Sequence, residues 1–125
     1  MPSDRDRGVL VDMLRHIDLA ERFSRGHTLE TFRSDELHLY AVTRCLEVIS
    51  EASRRLSDDL KARHPSIVWK EMAAAGNVYR HDYQDVAALR IWDTVQLALP
   101  SLRAVIEQEL GELPKYPVSS DGGKR

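Results

Sequence analysis

A chain of 125 residues is long enough for one domain around a single core and too short for two. Hydrophobic residues make up 42% and charged residues 30%, a globular balance, and no apolar run approaches the roughly 20 residues that a membrane span requires. Eighteen Lys and Arg against twenty Asp and Glu leave a net charge of −2, which excludes a protein that coats nucleic acid through a broad basic face but not one that grips a few phosphates locally. The charged opening, residues 1–7, lacks the apolar centre of a signal peptide, so a cytoplasmic protein is expected. A single cysteine, Cys45, rules out an internal disulfide; its apolar neighbours predict a buried, inert thiol.

The apolar periodicity from residue 5 to 110 is helical throughout, with no strand pattern and no repeat. In the first helix Leu10, Met13, Ile17 and Ala20 recur at steps of three and four, and Gly26 is placed to end it. The run Thr28-Leu29-Glu30-Thr31 can cap a short helical turn. A second long helix is predicted from Ser34, with Asp35 and Glu36 in its first turn, where carboxylates suit the helix dipole. Its seam of Leu39, Val42, Leu46, Ile49, Ser53, Leu56 and Leu60 alternates steps of three and four, as in a helix bundle. The helix should stop near Leu56, and Ser57-Asp58-Asp59 should cap another short one.

Pro65 disfavours helix at His64, and Ser66 can cap the third long helix, predicted over 67 to 80 or 81. The fourth, predicted over 86–110, places Trp92, Val95, Leu99, Leu102 and Ile106 on one face. Pro100 cannot donate to Gln96, which predicts a kink. After Gly111 the chain turns to Pro, Ser and Gly, so residues 1–110 are expected to form the domain and 111–125 a disordered tail.

The third helix ends on Gly76-Asn77-Val78-Tyr79-Arg80-His81-Asp82-Tyr83, a polar Asn-x-x-x-His-x-Tyr set after an apolar stretch. It resembles the signature of the HepT-like nucleases of the HEPN superfamily, Arg-Asn, three residues, His, one residue, Tyr. Asn77, His81 and Tyr83 match, and Gly76 stands where that family has Arg. The resemblance covers residues 10–110. Arg44-Cys45-Leu46-Glu47-Val48-Ile49-Ser50-Glu51-Ala52 looks like the family's Arg-x-Leu-Glu-x-Ile-Gly-Glu-Ala block. His64-Pro65-Ser66-Ile67-Val68-Trp69-Lys70-Glu71-Met72-Ala73 looks like its Tyr-Pro-x-Ile-Pro-Trp-x-x-Ile-Ala block. Ile91-Trp92-Asp93-Thr94-Val95, with Leu99-Pro100, looks like the segment after the His. The fold this implies is an all-α, HEPN-like bundle of four long helices plus short connecting helices, in a homodimer.

The implied activity is metal-independent cleavage of RNA. Such cleavage needs a base for the ribose 2′-hydroxyl, an acid for the leaving 5′-oxygen and a cation for the charge that builds on phosphate. Histidine serves the first two near neutral pH, and arginine the third. By resemblance His81 is the acid/base, Asn77 orients it or the phosphate, and the working site is shared across the dimer. Losing one donor to the transition state typically costs about 10²–10³ in rate. Arg80, one turn beyond Gly76 on the same helix face, is a candidate replacement for the missing Arg; the plain alternative is a solvated cation at the helix end. Arg44 is a second candidate, with an ion pair to Glu47 or Glu51 as its alternative. Tyr83 matches the family's target for a nucleotidyltransferase antitoxin of the MNT type, which adds AMP and silences the toxin; packing at a helix end is the alternative.

His16, His27, His38 and His64 lack a ligand spacing such as His-Glu-x-x-His, so no metal and no cofactor are expected. Trp69 and Trp92 read as core rather than as base-stacking platforms. Two functions are thus in view, an endoribonuclease toxin and a nuclease-dead module that retains only dimerisation and antitoxin binding, with Gly76 as the residue that separates them. A helical nucleotide- or ligand-binding domain is a third.

Overall fold

Ser3 starts the first helix, α1 (Asp4–Ser24), by accepting the Asp6 N–H on its side chain. The computed structural model describes residues 2–81 and 84–111, with the side chains of 77–81 and of 84–85 outside that description. The expectation of a disordered tail therefore falls almost wholly outside the described residues. Among the described residues every regular element is helical: α2 (Leu29–Ser34), α3 (Glu36–Ser53), α4 (Asp58–Ala62), α5 (Trp69–His81), α6 (Gln84–Asp93), a π-helical turn (Thr94–Ala98) and α7 (Leu99–Leu110). None of these helices is long and apolar enough to cross a membrane.

The predicted seams are the core. Leu10, Met13, Ile17 and Ala20 of α1 are fully buried and meet Leu39, Val42, Leu46 and Ile49 of α3, with Leu99, Leu102 and Ile106 of α7 closing the cluster. Cys45 is buried among them, and desolvation pushes its thiol pKa up, in keeping with an inert side chain. Trp69 and Trp92 pack on the same core.

Boundaries differ from the sequence reading in three places, each for a local reason. Thr28 and Thr31 form a complete capping box for α2, which runs on to Ser34, so Asp35 rather than Ser34 caps α3 by accepting the His38 N–H. Ser66 lies too early to cap α5, because the first turn starts at Val68, whose carbonyl accepts from Met72 N–H. The fourth predicted helix is two helices: the ladder widens to a π turn over Thr94–Ala98, directly before Pro100 at the start of α7. Pro100 thus acts one turn earlier than a simple kink, since its missing N–H is absorbed by the change of register. Gly26 ends α1 as expected, at φ 83°, a conformation that favours glycine.

One polar contact fastens α4 to α1. Asp6 is buried, and its two oxygens accept the backbone N–H and the hydroxyl of Ser57 at 2.9 and 2.5 Å, while Ser57 Oγ accepts the Leu60 N–H. Asp6→Ala would strand both Ser57 donors beneath the surface. We expect a loss of about 1–2 kcal/mol in urea unfolding, and a smaller one for Asp6→Asn, which keeps an acceptor.

Candidate active site at the end of α5

The last turn of α5 carries Asn77, Arg80 and His81 on its backbone; their side chains, and Asp82 and Tyr83 entirely, lie outside the described residues. Helical spacing puts Asn77 and His81 on one stripe, four residues apart, and Gly76 and Arg80 on the adjacent one.

The base of that second stripe is well defined. Gly76 is buried where α5 crosses α3. Its N–H donates to Ser50 Oγ at 3.3 Å, and Ser50 Oγ in turn donates to Ala73 O at 2.9 Å. A Cβ at position 76 would stand 3.4 Å from Ser50 Oγ, 3.6 Å from Ser50 Cβ and 3.8 Å from Glu47 Cα. The small residues of α5 therefore serve close helix packing, and Ser50 fills the flank of Gly76 that faces α3. Arg54 reinforces the crossing, donating to Ala73 O at 2.7 Å and to Glu51 at 2.9 Å. Arg44, the second candidate cation, is an exposed partner of Glu47 at 3.5 Å, as the ion-pair alternative has it.

Beside α5 a cleft of about 740 Å³ opens between that helix, the end of α6 and the start of α7. Val68, Met72 and Ala75 give it an apolar wall, and Arg90, Asp93, Thr94 and Ser101 a polar one. Among the described residues its lining on α5 ends at Ala75, six residues before His81. The other histidines are spoken for by carboxylates. His16 lies 3.5 Å from Asp12, His64 2.5 Å from Glu109, and His27 and His38 meet at Asp35.

A family model described as Ribonuclease HepT-like matches residues 13–109, from the middle of α1 almost to the end of α7. This chain belongs to the HepT-like ribonuclease family. It is 38% identical over 99 residues to a protein of Thermococcus cleftensis named "Probable ribonuclease HepT", covering 79% of this chain and 90% of the relative. It is 30% identical over 113 residues to "Putative RNase MJ1216" of Methanocaldococcus jannaschii, covering 90% and 93%. No solved structure matches the chain. In this HepT-like chain the residue that sequence reasoning missed is Ser50. Its signal was legible, because Ser50 occupies the Gly position of the Leu-Glu-x-Ile-Gly-Glu block just as Gly76 occupies the Arg position of the motif.

Proposed function

We propose that this chain is a metal-independent endoribonuclease toxin that works in the cytoplasm as a homodimer. The observation that carries the reading is the Asn77-x-x-x-His81-x-Tyr83 set in the sequence of a chain of the HepT-like ribonuclease family. His81 takes the proton from the ribose 2′-hydroxyl, the 2′-oxygen attacks phosphorus, and the 5′-oxygen leaves with a proton from the His81 of the other copy. The products are a 2′,3′-cyclic phosphate and a 5′-hydroxyl end. Asn77, on the His81 stripe, orients the imidazole or the phosphate, and Arg80 supplies positive charge near the bond being cut. An MNT-type nucleotidyltransferase is the antitoxin. Its AMP on Tyr83 places a phosphate beside His81 and repels the RNA backbone.

The packing of Gly76 against Ser50 favours a second reading, in which the fold keeps dimerisation and antitoxin binding without cleavage. A labelled RNA incubated with the purified, partner-free protein in chelator separates them. Cleavage by the wild type that is lost in His81→Ala supports the toxin. Equal cleavage by both chains removes His81 from the mechanism, and silence from both leaves the binding module.

A further inference from the structure

Three electron-pair donors converge where α1, α2 and α3 join, far along the chain from α5. His27 Nε2, Asp35 Oδ2 and His38 Nδ1 all lie within 4.8 Å of one another. Asp35 Oδ2 stands 2.9 Å from His38 Nδ1 and 3.9 Å from His27 Nε2. The other Asp35 oxygen is already engaged as the α3 cap, accepting the His38 N–H at 3.1 Å.

Thr31 Oγ1, the hub of the capping box, donates to Thr28 O at 3.3 Å and accepts from the Thr28 N–H and hydroxyl at 2.9 and 3.5 Å. It also lies 3.0 Å from His27 Nδ1, which holds that edge of the ring and leaves Nε2 turned toward Asp35. His38 Nδ1 is buried and, despite its 2.9 Å approach to Asp35, makes no aligned hydrogen bond.

We propose that His27, Asp35 and His38 form a binding site for Zn²⁺ or a related divalent transition metal. Two imidazoles and one carboxylate are a borderline-soft donor set suited to such ions, and a three-residue set leaves a fourth position for water. Ligands around tetrahedral zinc lie about 3.3 Å apart, from Zn–N and Zn–O bonds near 2.1 Å, so side-chain rotation alone closes the set. The outer shell is in place. Thr31 orients His27 through its second nitrogen, and Phe32, fully buried, holds the same ring edge-on at 6.0 Å and packs on Trp92 at 5.4 Å. Metal bound here would clasp the α1–α2 connector to the first turn of α3. Sequence spacing hid the site because its ligands come from a loop, a cap and a helix. The inference is independent of nuclease activity.

Zinc titration of the full chain, followed by calorimetry and thermal unfolding, tests it. One Zn²⁺ should bind per chain and raise Tm by about 5–10 °C at a hundredfold excess over Kd. Asp35→Asn keeps the cap, since Asn caps as well as Asp, and should weaken binding at least about 100-fold; His38→Gln should do the same. His16→Gln should bind as wild type. In the wild-type protein the imidazole NMR signals of His27 and His38 should move with zinc while those of His16 and His64 stay, a readout that needs no variant to fold. Absence of stoichiometric binding, undiminished binding by Asp35→Asn and His38→Gln, or zinc shifts confined to other histidines would each overturn the proposal.

Discussion

Gly76→Arg alone is expected to lower stability by about 1–3 kcal/mol, and Gly76→Arg with Ser50→Gly to recover much of that loss and cleave RNA about 10²–10³ faster than the wild type. The first clause rests on the crossing of α3 and α5. A methyl at position 76 meets Ser50 and Glu47 at 3.4 to 3.8 Å, which is ordinary contact. Gly76→Ala should therefore be tolerated, gaining up to about 0.8–1 kcal/mol from helix propensity. A guanidinium on four further bonds has to run outward past Ser50, which is buried, so the helices must part or the side chain must leave its rotamer. The second clause rests on the reciprocal exchange. This chain is small where the HepT-like motif is large, at 76, and larger where the helix block is small, at 50. Ser50→Gly removes the obstructing hydroxymethyl group and gives up its hydrogen bonds to Ala73 and Gly76. Urea unfolding of the two single variants and the double variant should show a favourable coupling of at least about 1 kcal/mol. Additive losses would mean that Ser50 does not bar the arginine. Coupling without faster cleavage would mean that position 76 does not supply the missing cation, and the binding-module reading would then stand.

The same pair of residues shows what was legible in the sequence. The three apolar seams identified the bundle because burial at helical spacing is a local signal, and the aliphatic residues predicted for them are core. Caps written in one place, such as Thr28 with Thr31 and Ser57 before α4, were readable for the same reason. What escaped were features made by two distant segments. The Ser50–Gly76 contact joins residues 26 apart, and the Asp6 clasp on Ser57 joins residues 51 apart. Motif matching identified Asn77, His81 and Tyr83 one by one, but not the face of α5 on which Gly76 is buried. That face is set by α3.

Glu109 joins two such distant segments, and acid should expose it. Its carboxylate accepts from Arg63 Nε and Nη2 at 3.0 and 2.7 Å and lies 2.5 Å from His64 Nε2, tying the end of α4 to α7. Glu109 and His64 are both buried, while Arg63 is 42% exposed on its side chain. The Arg63 fork first, and then the His64 bond, outweigh desolvation and bring the Glu109 pKa from 4.5 down to about 2. A carboxyl whose folded pKa lies below its unfolded one binds protons more readily when unfolded. Its contribution is therefore complete above pH 4.5 and is lost as pH falls from there toward 2. Solvent screening of the half-exposed Arg63 reduces that contribution to about 2 kcal/mol. Glu109→Gln should cost about that much at pH 7, more than Asp6→Asn, and should flatten the dependence of urea stability on pH between 4.5 and 3. If wild type and Glu109→Gln lose stability in parallel through that window, the acid sensitivity belongs to other carboxylates, and the end of α4 is held by Trp69, whose indole N–H donates to Lys61 and His64 carbonyls at 3.1 Å, rather than by charge.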